Sequence, residues 1–144
     1  SHEPAGHRDV AVTGRFVRAA LDRVARETAG LAGDEIVLLM VVAAEGHSSR
    51  DDLVRDLAVG AARLAELTSA LSERGWLRPD DADGTGYAIT EAGTQAVAAF
   101  WPVQQQLDEK LLSGLDDTER RTLRELLARV RDNAIALAGA VPDR

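Results

Sequence analysis

The feature that most constrains this chain is a pair of short helical patterns set close together and followed at once by two strand-like segments. Leu64, Leu67 and Leu71 recur at three- and four-residue spacing, so they share one helix face, and Gly75 offers the left-handed residue on which such a helix stops. Upstream, Ser49-Arg50-Asp51-Asp52 has the spacing of a capping box, opening a short helix through Leu53 and Leu57. Only a brief turn around Gly60 separates the two helices. Trp76-Leu77-Arg78 then leads into Pro79 to Gly86, a stretch with three aspartates and two glycines, and Tyr87-Ala88-Ile89 follows. This reads as two short strands and their connecting loop. Two helices about a tight turn, then a hairpin, predict a helix-turn-helix with a wing.

Helical periodicity also flanks this unit. Val12, Phe16, Val17, Ala20, Leu21 and Val24 form an amphipathic stripe with Arg15, Arg18, Arg23 and Arg26 between them. Gly30 and Gly33 break that helix and Asp34 is placed to cap the next, whose run from Ile36 to Ala44 is apolar on nearly every side and reads as a central helix. Thr90 caps a long helix that Pro102 should kink. A last helix begins at Asp116 or Asp117. Its stripe of Leu123, Leu126, Leu127, Val130, Ala134 and Leu137 lies opposite Arg120, Arg121, Arg124, Glu125 and Arg129. Three long amphipathic helices outside a small core need a partner surface, and a dimer supplies one. Packing on the winged unit of the same chain is the alternative.

At 144 residues and 45% hydrophobic composition, the chain has room for one core and not comfortably for two. The Ser1-His2 start reads as a tag remnant, and residues 1–9 are expected to be flexible. No apolar run is long enough to cross a membrane and no secretory leader is visible, so a cytoplasmic protein is expected. With no cysteine, disulfides and thiolate chemistry are excluded. A net charge of -7 argues against nucleic-acid binding through diffuse positive charge, so any DNA contact must be local. Only Lys110 is a lysine among the 17 basic residues, a bias that carries no functional weight.

An enzyme is not expected. His2, His7 and His47 are the only histidines, two of them in the N-terminal segment, so neither a metal site nor a Ser/His/Asp arrangement can be assembled, and no cofactor is called for. His47 reads as a loop residue. Asp83-Gly84-Thr85-Gly86 lacks the strand-loop-helix setting of a phosphate loop and reads as a hairpin tip.

Three stretches resemble the MarR transcriptional regulators. Asp52-Leu53-Val54-Arg55-Asp56-Leu57 is similar to the first helix of that family's helix-turn-helix, and Ala70-Leu71-Ser72-Glu73-Arg74-Gly75-Trp76-Leu77 to the end of its recognition helix entering the wing. Ile89-Thr90-Glu91-Ala92-Gly93 is similar to the junction after the wing, and Leu112 to Arg120 to the linker before the last dimerisation helix. The resemblance runs from about Val12 to about Leu137. It implies a mainly α winged-helix (α+β) fold in one domain, residues 10–144. Residues 10–30 and 91–140 would form dimerisation helices around a winged helix-turn-helix at 34–90. It further implies a homodimer on a pseudo-palindromic operator in double-stranded DNA, often released by a small phenolic or lipophilic effector.

On that pattern the second helix offers Arg63, with Glu66, Thr68 and Ser69 behind it, and Glu66 stands where the family commonly carries a basic or polar residue. Thr85 stands where the family's wing-tip arginine belongs, beside Asp80, Asp81 and Asp83. The DNA-contacting candidates are Ser48, Ser49, Arg50, Arg63 and Thr68, with Arg74 and Arg78 flanking. Surface pairing with nearby carboxylates is the plain alternative for each arginine. Phe16, Trp76, Phe100 and Trp101 are the large side chains available to line an effector pocket, or to serve as ordinary core or interface residues. The rival reading is a winged-helix dimer with degraded DNA contacts, acting as a ligand-binding or protein-interaction module.

Overall fold

The computed structural model describes residues 5–80 and 84–139. The first helix, α1 (Gly6–Ala29), starts inside the segment expected to be flexible, with Asp9 in its first turn where a carboxylate meets unpaired N–H groups. It ends at Gly30, whose φ of 67° turns the chain so that Leu31 N–H reaches back to the Ala25 carbonyl.

Helix α2 (Gly33–Glu45) is the centre of the molecule, burying Ile36, Leu38, Leu39 and Val42 and packing against α1, the helix-turn-helix, the sheet and the first C-terminal helix. Asp34 does not cap it. The cap position is Ala32, whose N–H donates to Glu35 Oε1 at 2.8 Å, while Gly33 N–H donates to Asp22 Oδ1 of α1 at 2.9 Å. The helices cross so closely that a Cβ on Gly33 would sit 3.0 Å from the Asp22 backbone nitrogen, and that crossing delivers the Asp22 carboxylate.

Helix α3 (Arg50–Leu57) is capped by Ser49, whose Oγ accepts from Asp52 N–H at 3.1 Å. The Asp52 carboxylate pairs with Arg55 Nη2 at 2.8 Å, so it is engaged along the helix. Ala58 turns the chain at φ 52°, and α4 (Ala61–Glu73) follows with Leu64, Leu67 and Leu71 buried as their spacing requires. Gly75, at φ 77°, closes it.

The sheet has three strands, β1 (His47–Ser49), β2 (Leu77–Asp80) and β3 (Gly86–Ile89), all antiparallel in the order β1-β3-β2. The β2–β3 hairpin matches the expected wing, with Leu77 opposite Ile89 and Asp80 opposite Gly86. Strand β1 was not expected, and His47 is a strand residue paired with Ala88, not a loop residue. Gly86 permits this pairing, since a Cβ there would stand 2.5 Å from the Ser48 carbonyl oxygen.

Helix α5 (Glu91–Leu111) is capped by Thr90, which accepts from Gly93 N–H at 3.0 Å and donates to the Gly75 carbonyl at 2.6 Å. Gly93 lies against the Trp76 carbonyl where a Cβ would collide. The helix runs unbroken through Pro102. Helix α6 (Asp117–Ala138) opens with a reciprocal box, in which Asp116 accepts from Glu119 N–H at 2.8 Å and Glu119 accepts from Asp116 N–H at 2.9 Å. No residue of α6 is buried. Leu126, Leu127, Val130 and Ile135 on α6, Phe16 on α1 and Trp101 on α5 all stand exposed, whereas the core is built from α2, α3, α4 and their neighbours.

Candidate nucleic-acid interface

At 3.6 residues per turn, α4 divides into two faces. Leu64, Leu67, Thr68 and Leu71 point into the core; Ala61, Ala62, Ala65, Glu66 and Ser69 are exposed and fall on one contiguous stripe. The stripe is methyl-rich and carries one carboxylate in its first two turns. Arg63 lies at its edge, half-buried. Its Nη1 is 3.7 Å from Glu66 Oε2, and its Nη2 is drawn back to 3.6 Å from Asp34 Oδ2. Asp34 also meets Arg18 Nη2 at 3.5 Å, so one carboxylate at the start of α2 holds guanidinia from α1 and α4. At these separations and exposures, each pair is worth at most about 1 kcal/mol, and a phosphate can compete for Arg63.

The remaining candidates separate by placement. Thr68 is buried and its hydroxyl donates to the Leu64 carbonyl at 3.0 Å, so it is not presented to a partner. Ser48 is likewise buried, in the middle of β1 opposite Tyr87. Arg74 donates from Nη2 to the Gly30 carbonyl at 3.0 Å and stacks on the Trp76 ring, 5.1 Å from its centroid, tying the end of α4 to the end of α1. Ser49 and Arg50 stand at the start of α3, and Arg50 N–H donates to the Thr85 carbonyl at 2.8 Å, which joins that helix end to the wing. Arg78 is exposed on β2 with no ion-pair partner among the described residues.

Tyr87 was not singled out from the sequence. The Thr68 side chain and, after it, the Arg50 guanidinium favour the ionised form of its phenol and hold its pKa below the ordinary value against the opposing effect of burial. At the wing, Asp80 is turned to His47, with Nε2 and Oδ2 2.9 Å apart. Asp81 and Asp83 lie outside the described residues, and Thr85 is exposed.

A cavity of about 230 Å³ lies between α1, α2 and α5, bounded by Leu31, Ile36, Trp76, Phe100 and Val103. An apolar cavity of about 150 Å³ suffices for a single benzene ring, so there is room for a one-ring compound. Trp76 and Phe100 therefore share this lining, and Phe16 and Trp101 do not belong to it. Among the described residues no three His, Asp or Glu side chains converge as a metal site, and no helix is long and apolar enough to cross a membrane.

No family model matches the chain. Its fold is that of solved MarR proteins. A MarR family transcriptional regulator from Listeria monocytogenes, in complex with a 26mer DNA, superposes with a TM-score of 0.80 at 16% identity, covering 99% of this chain and all of that one. BpsR of Bordetella bronchiseptica, whose DNA binding is regulated by 6-hydroxynicotinic acid, gives 0.76 at 23% identity over 92% of this chain and 97% of its own. The reduced form of MarR from E. coli gives 0.71 at 19% identity over 90% and 98%. The architecture is thus a MarR-type winged helix with helices added at both ends.

Proposed function

We propose that this chain is a MarR family transcriptional regulator that binds double-stranded DNA as a homodimer on a pseudo-palindromic operator and is released by a small lipophilic effector. The observation that carries this reading is the combination of a capped helix-turn-helix and wing with unburied apolar faces on α1, α5 and α6. The winged unit is the part that can meet DNA, and the open apolar faces are the part a second copy can cover. Arg50 and Ser49 hold a phosphate at the start of α3, Arg78 adds a contact from the wing, and Arg63 flanks the face of α4. The effector enters the cavity beside Trp76 and Phe100. The 26mer DNA bound to the Listeria protein and the hydroxynicotinic acid that regulates BpsR support this assignment by analogy of fold.

One observation favours a second reading, a winged-helix dimer serving as a ligand-binding or protein-interaction module: none of the exposed residues of α4 is a lysine or arginine. Fluorescence anisotropy with the DNA upstream of the protein's own gene, at two salt concentrations, separates the two. A regulator binds that DNA at least about a thousandfold more tightly than an unrelated duplex. Equal and weak binding to both, even at low salt, moves the assignment to the module.

A further inference from the structure

The exposed stripe of α4 is unusual for a helix that enters a major groove. Ala61, Ala62, Ala65, Glu66 and Ser69 present three methyl groups, one carboxylate and one hydroxyl, while the nearest cation is held at the edge by Asp34 and Glu66. The commonest specific contact in the groove, a guanidinium on guanine O6 and N7, has no residue to make it on this stripe. What the stripe can do is different. Methyl groups on a helix surface pack against the thymine C5-methyl, the one apolar group that a base edge displays in the major groove. Ala61 and Ala65 are one turn apart, about 6 Å along the axis, which is under two base steps of about 3.4 Å. They therefore address base pairs about two steps apart.

Glu66 restricts the choice further. A carboxylate brought into the groove loses hydration and regains it only from an exocyclic amine. The adenine N6 amine lies between two acceptors, its own N7 and the thymine O4, both repelling a carboxylate. The cytosine N4 amine has only the guanine O6 on one side and an apolar C5 edge on the other. Arg63, 3.7 Å from the carboxylate, offsets part of its repulsion by the phosphates.

Resting on the DNA-binding reading above, we propose that this protein selects its operator half-site through thymine methyls packed on Ala61, Ala62 and Ala65 and one cytosine amine held by Glu66, with no guanine read by an arginine of α4. Ala61 and Ala65 act together as a methyl reader, and Glu66 is the specificity-determining polar residue.

The test is selection of binding duplexes from a random library with the full chain, followed by anisotropy on the enriched sequence. Half-sites with thymines about two base steps apart and a nearby cytosine are expected. Replacing those thymines by uracil removes only the C5-methyl and should weaken binding about fourfold per methyl. Glu66→Gln should change the preferred base at its position from cytosine to adenine, because an amide pairs with adenine N6 and N7. The double variant Ala61→Ser, Ala65→Ser should lose most of the discrimination between thymine and uracil duplexes. Tight, sequence-specific binding that is indifferent to uracil and keeps its base preference in Glu66→Gln overturns the methyl and carboxylate code while leaving the regulator reading intact. Failure to enrich any duplex overturns both.

Discussion

Leu127 on α6 is the most direct probe of assembly. It is 47% exposed in the protomer, beside Leu126 at 48% and Val130 at 43%, and all three lie on the apolar stripe of α6. Burying a whole leucine is worth roughly 1.5–3 kcal/mol, so covering the open half of Leu127 contributes about 1 kcal/mol. A two-fold interface uses the same patch on both copies, so Leu127→Ala should cost about 2 kcal/mol per dimer, or about thirtyfold in the dissociation constant. Leu127→Glu adds the cost of placing a carboxylate against an apolar surface and should give monomers. The side chain is not part of the protomer core, so helix content should stay at the parent value in both variants. Sedimentation velocity over a range of concentrations reads the constant, with circular dichroism as the fold control. A parent that sediments as a monomer at about 50 μM, or a Leu127→Ala variant with an unchanged constant, refutes the assembly through α6.

Three further substitutions test other parts of the argument. Asp22→Ala removes the acceptor for Gly33 N–H and the partner of Arg26 and should cost about 1 kcal/mol in urea unfolding at neutral pH. The Gly33 N–H and the Arg26 guanidinium hold the Asp22 carboxyl below its ordinary value, so the stability it adds is complete above the unfolded value and is lost as the pH falls through the folded one; the gap between parent and variant should narrow as the pH falls below the ordinary carboxylate range. Gly93→Ala forces a Cβ into the Trp76 carbonyl and should lose about 2–3 kcal/mol, measured by thermal unfolding; an unchanged midpoint refutes that contact. Thr85→Arg should tighten binding to the upstream DNA and steepen its salt dependence by about one phosphate, and no change in either refutes a wing that approaches DNA.

Much of the fold was legible because its signals are local. Thr90 and Asp116 announce their helices with a side chain that reaches three residues on, and Leu64, Leu67 and Leu71 mark the inner face of α4 by period alone. The same period carried a signal about Thr68, which stands four residues after Leu64 and three before Leu71 and so belongs inside; hydroxyl chemistry drew it into the DNA-contacting set instead. Strand β1 could not be read, because three polar residues become a strand only when β3 lies beside them and Gly86 lets the backbones approach. The role of Arg74 rests on a carbonyl 44 residues away, and the cap of α2 on an aspartate 11 residues upstream. Contacts of that range leave no periodic trace.

The charge of the chain leads to a last prediction. With a net charge of -7, the whole molecule is repelled by DNA at long range, and binding depends on the few guanidinia that reach phosphates. Each protomer offers three from the winged unit, Arg50, Arg63 and Arg78, because Arg74 is spent on Gly30 and Trp76 and Arg55 is held along α3 by Asp52 at 2.8 Å and Asp56 at 3.8 Å. Two protomers then neutralise at most six phosphates, and at about 0.9 counterion per contact the logarithm of the binding constant should fall with a slope no steeper than about -5 against the logarithm of salt. Arg63 must also leave Asp34 and Glu66 to take part, so Arg63→Ala should flatten the slope by less per protomer than Arg50→Ala. Anisotropy titrations from about 50 to about 300 mM salt give both numbers. A slope of about -8 or steeper would require additional cations, for which the nearest source is the arginine row of α1, and would mean that DNA contacts extend well beyond the helix-turn-helix and wing.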